Sequence, residues 1–289
     1  MSSAAIRPHR LRRTAVPPTS DADQTAPDRR LDSHTVSPAR RWNYWLGGKD
    51  HFQVDRDSGD RIAAVYPPIR TAAREGRAFH GRAIRYLAGT AGIRQFLDIG
   101  AGLPAPANTH EVAQAVAPES RVLYVDNDPM VLAHARALMV GTPEGATRYL
   151  DADLREPASI LESPELAETL DLREPVAILL IAVLHFIRDD QQAHRIVADL
   201  LRAVPPGSYL VATHGTSDFV DPETAVRFAA LGNKGQVDVW PRTEAGVAAF
   251  FAGLELLDPG VVPVSDWRPE SADRPGRSEV ATYAAVGRT

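Results

Sequence analysis

Between Ile93 and Gly215 the sequence alternates short apolar runs with longer amphipathic ones, and this alternation restricts the fold more than any other feature. "IRQFLDIG" (93–100), "RVLYVDND" (121–128), "ATRYLDADL" (146–154), "PVAILLIAVLHF" (175–186) and "GSYLVATHG" (207–215) read as five strands. The fourth is apolar on both faces, as a central parallel strand must be. The stretches "THEVAQAVAP", "PMVLAHARALMV" and "DDQQAHRIVADLLRAV" between them carry helical spacing. Pro129 opens the second of these, where its missing N–H costs least. "PASILESPELAETL" reads as a broken helix, and further helical stretches cover 222–232 and 242–253. Two late strands are expected within "LELLDPGVVPVSDWRP" and "EVATYAAVGRT". Strand and helix in alternation over this length predict a doubly wound α/β fold with a mostly parallel sheet.

Three strand ends carry chemistry. The first is the glycine turn "FLDIGAGLPAP" (96–106), between a strand and a helix. Gly100 and Gly102 let the backbone turn tightly and approach a ligand, at the strand end where open α/β sheets bind. Gly100, Gly102 and Ala105 also satisfy the loose dinucleotide pattern G-x-G-x-x-G/A. Two details favour another ligand. Asp98 would repel a pyrophosphate but accept a hydrogen bond from a ligand ammonium, and Pro104 removes an N–H that a phosphate-binding helix start would use. The second strand ends at Asp126, placed to bond ribose hydroxyls; the competing reading is a helix cap, a role Asp128 fills better. The third ends in "DADL", with Asp151 and Asp153; a carboxylate there can accept an adenine amino group, although an isolated acidic pair is usually a solvated loop.

The ordered set Asp98-x-Gly100-x-Gly102, Asp126 and Asp153-Leu154 resembles the class I S-adenosylmethionine-dependent methyltransferases. "ARRWNYWLGGKDHF", "FLDIGAGLP", "VLYVDNDP", "LHFI" and "GVVPVSDWRP" further resemble one actinobacterial branch, the "S-adenosyl methyltransferase" family. The resemblance implies a Rossmann-like, seven-stranded, mostly parallel sheet with an antiparallel last strand and an N-terminal helical cap. It implies bound S-adenosyl-L-methionine, with Asp98 and the backbone of Gly100, Ala101, Gly102 and Leu103 at its amino-acid end. Asp126 would hold the ribose, Asn127 would flank the adenine, and Asp153 and Leu154 would meet its edge and face. Pro104 departs from the superfamily, many members of which carry a third glycine there.

Methyl transfer from a sulfonium is an in-line displacement in which the protein aligns the nucleophile and sometimes removes a proton. In this fold His185, after the fourth strand, falls near the sulfonium and is the catalytic candidate; the alternative is a histidine that only lines the pocket. His214, after the fifth strand, is a weaker second, and His51 and His80 are weaker still. His110, His134 and His194 read as surface or packing residues. The Asn/Asp-Pro-Pro-aromatic signature of amino-methylating relatives is absent, which points away from DNA or protein-glutamine substrates. No histidine–carboxylate spacing matches a metal motif.

Upstream, residues 1–36 mix Pro, Ser, Thr, Asp and Arg without apolar periodicity and read as a disordered tail. Residues 37–92 form the expected cap, ending in a helix across 69–92 closed by Gly89 and Gly92, and 93–289 the cofactor-binding domain. The aromatic segment "RRWNYWLGGKDHF" (40–52) opens the cap. Gly47-Gly48-Lys49 is not a phosphate loop, because no strand precedes it and no Ser or Thr follows the lysine. Two readings stand for Trp42, Tyr44, Gly47 and Gly48: a lid over the cofactor, where a ring face near the sulfonium is favourable, or plain packing of cap on domain.

The net charge of −5 does not fit a general nucleic-acid binder. The absence of cysteine excludes disulfides, thiolate metal sites and thiol nucleophiles. With no apolar run long enough to span a bilayer and no apolar h-region at the N-terminus, a cytoplasmic enzyme without membrane partners is expected. The leading expectation is a methyltransferase with a small-molecule acceptor. A non-catalytic S-adenosylmethionine-binding regulator and a nicotinamide-dependent oxidoreductase are the alternatives.

Overall fold

A computed structural model describes residues 32–234 and 238–289. The tail expected over 1–36 lies outside them except for its last five residues. Three helices come first: α1 (Pro38–Trp45), α2 (Gln53–Val65) and α3 (Ile69–Arg85). The sheet begins with β1 (Gln95–Ile99) and continues through α4 (Thr109–Val116), β2 (Arg121–Asp126), α5 (Pro129–Leu138), β3 (Ala146–Asp151), α6 (Pro157–Leu161), α7 (Pro164–Thr169), β4 (Ala177–Leu180), α8 (Asp190–Arg202) and β5 (Tyr209–Gly215). Then come α9 (Pro222–Asn233), α10 (Glu244–Ala248), β6 (Glu255–Leu256), β7 (Val262–Pro263), α11 (Arg277–Val280) and β8 (Thr282–Arg288).

The strand order is β3-β2-β1-β4-β5-β8-β6, with β7 also on β8. Strands β1 to β5 are parallel, and β8 is antiparallel to β5, β6 and β7. The expected α/β sheet with a reversed last strand is therefore present. Its edge position is occupied by two strand segments rather than one, because a turn at Asp258–Gly260, closed by Gly260 N–H on the Leu257 carbonyl at 2.8 Å, interrupts the pairing. Succession reverses between β1 and β4, and ligands of open α/β sheets bind at the carboxyl ends of strands at such a switch point.

The fourth strand is shorter than its apolar run predicts. It stops at Leu180, because Ala182 takes a left-handed backbone (φ 53°) and donates its N–H to Thr213 Oγ1 at 2.8 Å. Leu184–Phe186 then form a 3₁₀ turn. The helix read across 69–92 is α-helical only to Arg85; Tyr86–Thr90 form a π-turn and Gly92 (φ 71°) ends it.

Alternation along the strands divides the core. Leu97, Leu123, Ile178 and Leu210 face a layer with residues of α6 to α8. Phe96, Val122, Leu179 and Val211 share the other layer with Phe79, Ile84 and Leu87 of the α3 segment and with Trp267. Helix α3 thus belongs to the same core as the sheet. Asp98, two residues after Phe96, follows the α3–α4 side of β1. No helix among the described residues is long and apolar enough to cross a membrane.

Candidate active site

The glycine turn after β1 is pinned to β2: the N–H groups of Gly100 and Ala101 both donate to the Val125 carbonyl, at 2.8 and 3.2 Å. Gly100 (φ 77°) cannot carry a side chain, since a Cβ there would lie 2.7 Å from Val183 Cγ2. Gly102 (φ 67°) differs, because a Cβ there would meet no protein atom within 4 Å. The space over Gly102 is open, as a cradle for a ligand backbone requires. Leu103 turns inward and packs with Met130 and Val131.

Asp98 is 6% exposed and held by residues of α3 and α4. Thr109 Oγ1 donates to Asp98 Oδ2 at 2.5 Å. His80 Nε2 lies 2.8 Å from Thr109 Oγ1, and Arg77 Nη1 lies 3.3 Å from His80 Nδ1. The guanidinium can only donate, so His80 Nδ1 accepts and Nε2 carries the proton. Burial lowers the His80 pKa, in keeping with this neutral ring.

Asp126 ends β2 half-buried. Its Oδ2 accepts the Gly102 N–H at 2.9 Å and its Oδ1 the Asp128 N–H at 2.9 Å. Desolvation raises its pKa to about 6 against the pull of these bonds. Asp126 does not cap α5; Asp128 does, accepting the Met130 N–H at 2.8 Å. Asp98, Ala101, Gly102 and Asp126 line one pocket, together with Arg77 and Tyr124.

Farther along the same edge, Asn127 Nδ2 donates to Asp153 Oδ2 at 2.9 Å, joining the ends of β2 and β3. Asp153 Oδ1 accepts the Arg155 N–H at 2.8 Å. Leu154 is buried in the core layer shared with Ile160. Arg77, Thr109 and Tyr124 were not readable as site residues, and His80 stood only as a weak catalytic candidate, because their relation to Asp98 depends on how α3 and α4 dock.

The end of β4 gathers a second group. His185 is 6% exposed, and its Nδ1 has no hydrogen-bond partner among the described residues. Burial, His214, Arg41 and Arg242 hold its pKa well below the ordinary histidine range, so the ring is neutral. His214 differs: Nε2 accepts from Arg242 Nη1 at 2.8 Å, which leaves Nδ1 to donate to the Gly215 carbonyl at 2.8 Å. Both its nitrogens are engaged, and of the two histidines only His185 keeps an unpartnered one. His51 is also structural, lying against the Gly48 carbonyl and Arg56. Among the described residues, no group of three or more His, Cys, Asp or Glu side chains is placed to hold a metal ion.

Helix α1 is fastened to this edge. Ser37 Oγ donates to Asp128, and Ala39 and Phe52 pack against the cluster of Leu103, Met130 and Val131. The Trp42 and Tyr44 rings of α1 have partners among the helices. Trp42 meets Trp45 edge-on at 5.9 Å, in a cluster with Ile62, Ala73 and residues of α9. Tyr44 donates to Asp60 at 2.8 Å beneath Arg70, whose guanidinium carbon is 4.5 Å from the ring centre. Gly47 (φ 84°) and Gly48 follow the end of α1, and Gly48 leaves room for the Asn43 amide, 2.3 Å from where a Cβ would stand. Trp42, Tyr44, Gly47 and Gly48 are therefore not brought together with Asp98 and Asp126; each has packing or backbone geometry as its evident role.

A strand-ordered set of one glycine turn and carboxylates, at the switch point of this sheet, defines a class I methyltransferase architecture. Residues 24–289 match the family model described as S-adenosyl methyltransferase, and the chain belongs to that family. It is thus an S-adenosylmethionine-dependent methyltransferase, and the nicotinamide reading of the glycine turn is set aside. Its structure resembles a DUF574 family protein of Streptomyces avermitilis, at 44% identity and a TM-score of 0.85, over 90% of this chain and 100% of that one. It also resembles a putative methyltransferase of Thermobifida fusca, at 38% identity and a TM-score of 0.82, over 92% and 99%. Among curated proteins none matches the chain.

Proposed function

We propose that this chain binds S-adenosylmethionine at the ends of β1 to β3 and methylates a small-molecule acceptor held between α1 and the end of β4. The observation that carries the reading is the meeting of Asp98, Gly102 and Asp126 around one pocket, with open space above Gly102. Asp98 accepts the ammonium of the amino-acid end, and the Gly100–Leu103 backbone follows that end of the ligand. Asp126 accepts the ribose hydroxyls. Asn127 and Asp153 border the adenine, while Leu154 acts from within the core by fixing the chain beneath it. When bound, the cofactor supplies an electrophilic methyl carbon. His185 Nδ1 accepts a hydrogen bond from the acceptor and takes its proton, since His214 has no lone pair left to offer. In this reading helices α1 to α3 act as a cap, with the Trp42 and Tyr44 rings stabilising it rather than touching ligand.

Calorimetric titration tests the reading. S-adenosylhomocysteine should bind and NAD should not. Asp98→Asn and Asp126→Ala should each weaken the former by about tenfold or more, the effect of losing a hydrogen bond to a charged group. Unchanged affinity in both variants would overturn the placement.

A further inference from the structure

Two buried nitrogens near the end of β4 have no hydrogen-bond partner among the described residues: His185 Nδ1 and Arg41 Nε. Arg41 is 1% exposed, although it is a permanent cation. Its Nη1 donates to Ser58 Oγ at 3.3 Å and its Nη2 to Asp238 Oδ1 at 2.6 Å. The guanidinium lies 5.5 Å from the Trp45 ring. Nε and Nη2 form one edge of a guanidinium, the edge that pairs with both oxygens of a carboxylate. Here Asp238 occupies only half of that edge.

The charges in this region are unevenly buried. The Arg41 side chain is 2% exposed and that of its partner Asp238 45%. Arg242 repeats the pattern, at 7% against 77% for Asp190. Cations are inside and their counterions outside, so the interior between α1 and the Leu184–Phe186 turn is electropositive. The same two arginines are among the causes that lower the His185 pKa.

We infer that the acceptor is a small carboxylate-bearing molecule. Its carboxylate takes the Nε–Nη2 edge of Arg41 in place of Asp238, and its hydroxyl or amine meets His185 Nδ1. This rests on the methyltransferase reading for its purpose but not for its binding. Burial and His214 are larger causes of the lowered His185 pKa than Arg41, so an anion at Arg41 would relieve only a lesser part of it.

Ligand-detected NMR titration of the full chain tests this, with and without S-adenosylhomocysteine. The probes are two matched pairs: 4-hydroxybenzoate with 4-hydroxybenzamide, and anthranilate with anthranilamide. For at least one pair the acid should bind at least tenfold more tightly than the amide. Asp238→Asn, which removes the competing carboxylate, should tighten acid binding several-fold and leave the amide unchanged. Arg41→Gln should abolish the preference, and Arg41→Lys should keep part of it. Acids binding no better than amides in both pairs, or Asp238→Asn weakening them, overturns the inference even if Arg41→Gln fails to fold. Acid preference without any S-adenosylhomocysteine binding would uphold the anion site and overturn the cofactor placement, so the two failures are distinguishable.

Discussion

Asp126 is a carboxylate whose surroundings oppose its charge. Its pKa in the folded chain, about 6, stands above the ordinary value of 3.8. Folding therefore favours the protonated form. The stability this group contributes is complete below about pH 3.8 and is lost as the pH rises through 6. Replacing it with Asn removes that dependence. Urea denaturation of wild type and Asp126→Asn at pH 4.5 and 7.5 should show the variant gaining about 2 kcal/mol relative to wild type at the higher pH. A constant difference between the two pH values would argue that Asp126 is as solvated as an ordinary aspartate. A residue that costs stability when ionised, at the point where the proposed cofactor would offer its ribose hydroxyls, has the signature of a group kept for binding.

At the scale of elements, the turn after β4 is shaped by a residue nearly sixty positions downstream. Arg242 donates to the carbonyls of Leu184 (3.2 Å) and Ile187 (2.9 Å), to Asp190 and to His214. This planar fork holds both ends of the segment that carries His185. Arg242→Lys keeps the charge but cannot reach four acceptors. It should cost about 1–3 kcal/mol, the cost of leaving buried acceptors unpaired, and hydrogen exchange at residues 184–187 should quicken. If exchange there is unchanged, the turn holds its shape unaided.

The same turn shows where sequence reading succeeds and stops. Asp98, Asp126 and Asp153 could be picked out because each closes an apolar run, and in a parallel sheet such ends share one edge. The end of β4 could not, because Ala182 breaks the strand within an unbroken apolar run and no composition signal marks a left-handed alanine. Arg242 and Thr109 escaped, and His80 was singled out only as a weak catalytic candidate, because their partners are 11 to 58 residues away along the chain. For the aromatic segment the sequence left a lid and plain packing both open, because the choice depends on partners such as those of Trp42 and Tyr44 in α1, α2, α3 and α9.

Across the whole molecule, the first three helices are not a detachable accessory. Phe79 and Trp267 are fully buried edge-to-face at 5.3 Å, and Phe79 belongs to the core layer that lies on β1, β2, β4 and β5. Arg82 donates to the carbonyls of Val264 and Trp267, tying α3 to the segment before α11. Phe79→Ala should therefore lower the stability of the entire chain by about 3–5 kcal/mol. Melting followed by tryptophan fluorescence and by far-ultraviolet circular dichroism should remain a single coincident transition. Separate transitions would show α1–α3 unfolding on their own.

The bonds from Arg77 through His80 and Thr109 to Asp98 also have a polarity. Histidine can exchange its tautomer and threonine can rotate its hydroxyl, so most such relays run in either direction. This one starts from a guanidinium, which has no lone pair to receive a proton. Every hydrogen in the series must face β1, and Asp98 Oδ2 is permanently a receiver. One oxygen of the carboxylate is filled by side chains of α3 and α4, whose Arg77 and Thr109 also line the pocket. Whatever it offers to the open side is left to its other oxygen, which stands ready for a donor arriving from outside the protein.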